Sequence, residues 1–209
     1  MSCTVKNNLI ARRPPVKPPL TQNQIRNRLE FAKIYRNSDM RFWRNVLFCD
    51  EVSIQLFPHD RRIRVRRSKG ERNERKNLVK GYHHGGGSLI FWGCICYDGV
   101  GSLVLINQTL TGERYKELLE RIIPRQIRAF HLRSPYLLED HAPCHSTQNV
   151  REAKERLGIK TFTNYPSNSP DLNPIEGVWS FWKDRVRARN PQTLVQLRVY
   201  CEEEWRHLA

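Results

Sequence analysis

The amino-acid sequence predicts an α/β fold: one mixed sheet, antiparallel along one side and covered by helices. Three observations predict it. Apolar runs of strand length come first, and two of them are joined by Asp98-Gly99-Val100-Gly101, a strong hairpin signal. Tyr115, Leu118, Leu119, Ile122, Ile123, Ile127 and Phe130 then form one apolar helical stripe. Beyond it, short strands and helices alternate to the end of the chain.

At 209 residues the chain forms one substantial core, and nothing in its length demands two. The balance of 36 Lys+Arg against 21 Asp+Glu leaves a net charge of +15, which points to a polyanionic partner, nucleic acid first. No apolar run approaches the roughly 20 residues of a membrane span, and the N-terminus lacks the apolar core of a signal peptide. The sequence is therefore expected to be soluble and intracellular, with no membrane partner. Its six cysteines lack Cys-x-x-Cys spacing and are read as reduced thiols.

Residues 1–20 are basic and rich in proline, with Arg12, Arg13 and Lys17 set among Pro14, Pro15, Pro18 and Pro19, and read as a semi-extended linker. Thr21 and Gln24 make a capping box for a helix of about four turns carrying Ile25, Leu29 and Ala32. Asn45 to Asp50 and Ser53 to Phe57 are two strand candidates, with Asp50 at the end of the first or just inside it. Residues 61–80 are the most basic window, with Arg61, Arg62, Arg64, Arg66, Arg67 and Lys69 at its head. Alternation through Arg62-Ile-Arg64-Val-Arg66 suits a strand with one charged face, either a phosphate-contacting surface or an edge guarded by charge. Gly85-Gly86-Gly87 lacks the spacing of a phosphate-cradling loop and reads as a connector.

Ser88 to Tyr97 and Gly101 to Ile106 are the hairpin strands. Thr111 caps the helix that bears the apolar stripe, and Pro124 inside it is expected to kink or divide it. Tyr136 to Asp140 is a short strand. Ser146 caps the next helix, Gly158 stops it, and Ile159 to Phe162 is a further strand. From Pro166 to Pro174 the prolines rule out a central strand or a helix interior. Asn173 then reads as an N-cap, with Pro174 first in the helix and Glu176 third. Ile175, Val178, Trp179, Trp182 and Val186 line that helix, and a last one runs from about Gln192 to Leu208.

Three acids stand out by position: Asp50 and Asp140 at strand ends, and Glu176 on a helix's first turn. Carboxylates without His or Cys partners suit hard cations, Mg²⁺ or Mn²⁺, and two such ions roughly 3.5–4 Å apart clamp the oxygens of an in-line phosphoryl displacement. Each acid also has a purely structural reading. Glu176 completes an Asn-x-x-Glu capping box, Asp50 with Glu51 is a polar strand end, and Asp140 caps the helix that follows. Strand alternation lets only one of Asp50 and Glu51, and one of Glu139 and Asp140, face a common site. A zinc set of His141, Cys144 and His145, with Cys94 or Cys96, is metal-competent but is interrupted by Pro143 and lacks a spaced second pair.

Asp140-His-Ala-Pro-Cys-His145, Ser169-Pro-Asp-Leu-Asn-Pro-Ile-Glu176-Gly-Val-Trp179, Phe48-Cys-Asp50-Glu51 and Gly85-Gly-Gly-Ser-Leu-Ile-Phe-Trp-Gly93 together resemble the catalytic domain of mariner-type DNA transposases. The similarity runs from about Arg12 to Trp182. It implies a ribonuclease H-like fold with Asp50, Asp140 and Glu176 as an Asp-Asp-Glu triad holding two Mg²⁺ ions, Mn²⁺ being the alternative, and with Glu51 and Glu139 outside it. It further implies cleavage at transposon terminal repeats and transfer of the freed 3′ hydroxyl into target DNA at a TA dinucleotide, with a homodimer on double-stranded DNA in the nucleus. His141 departs from the Asn usual after the second acid, and 35 residues separate Asp140 from Glu176.

On this reading residues 1–40 are the linker and lead-in helix, with a trace of a helix-turn-helix unit in residues 3–11. Residues 41–209 are the catalytic domain, short at its C-terminal end. The paired helix-turn-helix units of the family are not expected, nor is the specific end recognition they provide. Arg12, Arg13, Lys17 and the arginines from Arg61 to Arg67 with Lys69 are the expected DNA contacts. The alternatives are a catalytically inactive DNA-binding remnant and another ribonuclease H-like nuclease.

Overall fold

The computed structural model describes residues 20–57, 86–162 and 164–208. The expected DNA contacts Arg12, Arg13, Lys17, Arg61, Arg62, Arg64, Arg66, Arg67 and Lys69 lie outside these residues, as does the alternating strand proposed through Arg62 to Arg66.

Among the described residues, α1 (Gln22–Tyr35) and α2 (Met40–Trp43) lead into β1 (Val46–Gln55), β2 (Ser88–Cys96) and β3 (Gly99–Ile106). Then come α3 (Gly112–Ala129), β4 (Tyr136–Leu138), α4 (Gln148–Arg156), β5 (Lys160–Thr161), α5 (Ile175–Ala188) and α6 (Leu194–Arg206). The five strands form one sheet in the order β3-β2-β1-β4-β5. The first three pair antiparallel, while β4 and β5 add in parallel. The mixed α/β sheet expected of a ribonuclease H-like fold is therefore present.

Alternation along β1 splits the core. Val46, Phe48, Val52 and Ile54 pack with Trp179, Trp182 and Val186 of α5 and Leu197, Cys201 and Trp205 of α6. Leu47 and Cys49 point the other way, into Tyr115, Leu118, Leu119, Ile122 and Ile123 of α3 and Val150 of α4. A side-chain period of two assigns each residue of the strand to one layer. The Thr21–Gln24 capping box forms, and α1 inserts Phe31 into the α5-side core against Phe162 and Tyr165.

Several element boundaries differ from expectation. The two strands expected on either side of Glu51 are one ten-residue strand, because the ladder to β2 continues through the register pairs Asp50↔Gly93 and Glu51↔Trp92. The hairpin closes at Tyr97-Asp98, and Gly99, with φ 141°, already belongs to β3. Pro124 does not divide α3. It removes one backbone donor, while buried Ile122, Ile123 and Gln126 hold that part of the helix on the sheet. Thr147, not Ser146, occupies the N-cap of α4, since Ser146 closes a 3₁₀ turn over Pro143–His145. Gly158, with φ 67°, ends α4 as expected.

Candidate active site

Asp50 is the fifth residue of β1, inside the strand rather than at its end. It takes a place where the alternation calls for an apolar residue facing α5. Its Oδ2 accepts the indole N–H of Trp179 at 3.1 Å. That indole lies across Gly93, the register partner of Asp50 on β2: a Cβ on Gly93 would come within 2.4 Å of Trp179 Cη2. Gly93→Ala is thus expected to force a rigid, buried ring aside. The cost of such overpacking is about 1–3 kcal/mol, or roughly 2–12 °C in Tm for a chain of this size, read by thermal melting; an unchanged melt would mean the ring yields freely.

Asp140 lies two residues past the end of β4, at a half-exposed turn. Its Oδ1 accepts the backbone N–H of Ala142 at 3.0 Å, and His145 Nδ1 bonds the Asp140 carbonyl at 3.2 Å while lying 2.9 Å from Oδ1. The expected cap of the next helix is therefore a cap of its own turn.

Glu176 enters on the first turn of α5, delivered by a loop tied down at many points. Tyr165 donates its hydroxyl to the Ser169 carbonyl at 2.8 Å, and His141 Nε2 engages the Tyr165 carbonyl. Arg28 of α1 holds Asp171 through two bonds of 2.9 and 2.6 Å. Asn173, buried, donates its side-chain amide to the Cys49 carbonyl at 3.1 Å and so fastens the loop to β1 next to Asp50. Its side-chain oxygen makes a long 3.4 Å cap to the Ile175 N–H, while Pro174, already in helical backbone, stands at the cap position of α5. The reciprocal capping box does not form, because the Asn173 N–H goes to the Pro170 carbonyl. Among the described residues the Glu176 carboxylate has no hydrogen-bond partner.

These three carboxylates line one cavity of about 390 Å³, together with His141, Ala142, Tyr165, Asn173 and residues 166–170. Its charge is under-compensated. Burial, then the charges of Glu176 and Glu51, push the Asp50 carboxyl up to about 7. Three oxygen ligands around a negatively charged cavity fit a hard divalent cation and suit no soft metal.

The neighbouring acids go elsewhere, as alternation requires. Glu51 faces the α3 side of the sheet and meets His145 Nε2 at 3.2 Å. Glu139 is held by the Tyr115 hydroxyl and by the ammonium of buried Lys154. Burial pulls the His145 imidazole down, but its bonds to Asp140 and Glu51 and the charge of Glu139 outweigh this and raise it to about 11. The bond to His145 in turn holds Asp140 below the usual carboxylate range. The zinc set is not assembled: Cys94 and Cys96 are buried in β2, and the rings of His141 and His145 are engaged as described. Sequence reasoning gave Trp179 only a packing role and did not find the Glu51–His145–Asp140 chain. The conspicuous signal was a His five residues after a chosen acid.

Comparison with known proteins agrees with the geometry. The profile of the DDE superfamily endonucleases matches residues 45–198. The Tcb1 transposase of Caenorhabditis briggsae is 30% identical over 200 residues, covering 96% of this chain and 73% of the relative. The Tc1 transposase of Caenorhabditis elegans is 30% identical over 185 residues, covering 87% and 67%. Among solved structures, the Mos1 transposase paired-end complex with left transposon end superposes with a TM-score of 0.76 at 18% identity, over 98% of this chain and 64% of that one. This chain thus spans just under two thirds of the Mos1 chain, and at that identity the likeness concerns the fold. Fold, profile and relatives converge: the chain belongs to the DDE superfamily of endonucleases, as a catalytic domain of the Tc1/mariner transposase type.

Proposed function

We propose that this chain cuts DNA at transposon ends and joins the freed end to target DNA, with Asp50, Asp140 and Glu176 holding two divalent ions, Mg²⁺ or Mn²⁺. The observation that carries the reading is the convergence of three carboxylates, from β1, the turn after β4 and the start of α5, on one cavity. Mos1, the neighbour in fold, has been solved as paired-end complexes with Mn and with Mg and as a strand transfer complex. Double-stranded DNA as partner, a pair of copies on it and a nuclear place of action belong to the same proposal. The net charge of +15 supports the first of these.

Each acid has its own setting. Trp179 fixes Asp50 through one oxygen, and Asp140 is held through Oδ1, which leaves its Oδ2 without a protein partner among the described residues. Glu176 stands at the positive end of the α5 dipole, which favours its ionised form and an approaching phosphate alike. Bound ions supply Lewis-acid activation of the attacking oxygen and neutralise charge on the phosphate. The reading calls for no protein nucleophile.

The test joins the chain to a DNA-binding unit from a Tc1-type relative and measures nicking of terminal-repeat duplexes in Mg²⁺ or Mn²⁺. Asp50→Asn, Asp140→Asn and Glu176→Gln should each slow cutting on the order of a thousandfold, the kinetic equivalent of several kcal/mol of lost transition-state stabilisation. Unchanged cutting in all three sinks the assignment. DNA binding without metal-dependent cutting by the natural chain would mark an inactive remnant.

A further inference from the structure

We propose that His145 is the positioning residue of the second acid, its Nδ1 fixing one oxygen of Asp140 while Glu51 anchors the far side of the ring. The inference rests on the reading of Asp50, Asp140 and Glu176 as the metal site.

The ring is placed with little freedom. His145 is 3% exposed, at the end of the 3₁₀ turn over Pro143–His145. Its backbone N–H bonds the Ala142 carbonyl at 2.9 Å, its own carbonyl takes the Lys154 ammonium at 3.0 Å, and its ring lies 4.3 Å from that of Tyr115. Both ring nitrogens are engaged: Nδ1 bonds the Asp140 carbonyl at 3.2 Å and lies 2.9 Å from its carboxylate Oδ1, while Nε2 meets Glu51 at 3.2 Å. Glu51 comes from the face of β1 opposite to Asp50, so the chain Glu51–His145–Asp140 links the two sides of the sheet at its functional end.

Asp140 itself sits on a half-exposed turn, and nothing in β4 restrains its side chain. The Ala142 N–H and His145 Nδ1 both engage Oδ1, which fixes the carboxylate plane and leaves Oδ2 as the oxygen available to the cavity. Groups that hold a ligating carboxylate in this way set metal affinity, and losing one costs about 10- to 100-fold. Glu51, Asp140 and His145 also present ligand atoms within 4.8 Å of one another, a spacing that could hold an ion of its own. We favour the positioning chain because both imidazole nitrogens are already engaged, Nδ1 with the carbonyl and Oδ1 of Asp140 and Nε2 with Glu51.

Mn²⁺ titration calorimetry of the whole chain without DNA tests the role, with a metal-free thermal melt as fold control. The amide of Asn can stand in for Nδ1 and that of Gln for Nε2. His145→Asn is therefore expected to keep Mn²⁺ affinity within about threefold, and His145→Gln to lose roughly 10- to 100-fold. Unchanged affinity in His145→Gln, or the reverse order with Asn the weaker, overturns the proposal. Should His145→Gln fail to fold, Glu51→Ala carries the test: it leaves the imidazole in place, about tenfold weaker Mn²⁺ binding is expected, and unchanged binding overturns the proposal. Natural chain and Asp140→Asn are the control pair. If they bind Mn²⁺ equally, the metal-site reading falls and the positioning role with it. If Asp140→Asn alone binds weakly while His145→Gln binds normally, only the positioning role falls.

Discussion

Asp50→Asn is expected to melt higher than the natural chain at pH 8, although it removes one of the three acids proposed to hold the metal ions. The cause is the carboxyl's own setting. Burial and the charges of Glu176 and Glu51 raise it from the ordinary 3.8 to about 7, so the folded chain holds this proton more tightly than the unfolded chain does. A raised acid favours folding most below about pH 4, where both states are protonated, and loses that contribution as pH climbs through about 7. Asparagine does not titrate and can still accept the Trp179 N–H. The variant's advantage should therefore be absent near pH 4, grow between pH 4 and 7, and be complete at pH 8. Asp50 is partly open to solvent, so the gain is discounted to about 1–3 kcal/mol, or roughly 2–12 °C in Tm. Mg²⁺ should narrow the gap by stabilising the natural chain through binding linkage. An Asp50→Asn melt at or below the natural one at pH 8, metal-free, would show that the cavity is not strained by its charge.

That expectation also shows what the sequence disclosed. Asp50 was conspicuous because an acid interrupts an apolar run, and the same interruption split β1 into two expected strands. A functional polar residue in a buried strand breaks the pattern by which the strand is recognised. The approach to Glu176 was readable because prolines act locally: Pro166, Pro170 and Pro174 argue against a central strand or helix interior, and Pro170 and Pro174 stand at the starts of a 3₁₀ turn and of α5. The tethers of that loop were not, since Arg28 and Asp171 are 143 residues apart, and Asn173 and Cys49 are 124 apart. Trp179 illustrates the same limit. Its place in an apolar helical stripe is a local signal, but the bond of its N–H to Asp50 spans 129 residues. Local chemistry gave the elements and the three acids; the partners that orient the acids come from pairings that only the sheet register brings together.

Lys154→Met is expected to be among the most destabilising single substitutions in the chain, although its side chain touches none of the three cavity acids. Lys154 and Glu139 form an ion pair with side chains 7% and 10% exposed, packed between α3, α4 and the end of β4. Solvent scarcely reaches either partner, so removing the ammonium leaves a carboxylate buried with only the Tyr115 hydroxyl. Breaking a buried pair from one side costs about 3–5 kcal/mol, roughly 6–20 °C in Tm for a chain of this size. The double substitution Lys154→Met with Glu139→Gln should recover most of this, because the neutral amide no longer demands a counter-charge and can still bond Tyr115. It should not recover all of it. Lys154 also donates to the His145 carbonyl at 3.0 Å, and losing that bond leaves a deficit of about 1–2 kcal/mol in the double variant. Chemical denaturation of the four chains gives the coupling energy directly. A double variant no more stable than Lys154→Met would mean that the lysine acts through packing or the His145 carbonyl alone. The residual deficit bears on chemistry as well, since the bond concerned fixes the backbone of the residue proposed to position Asp140. The double variant is therefore expected to bind Mn²⁺ more weakly than the natural chain even where its fold is restored.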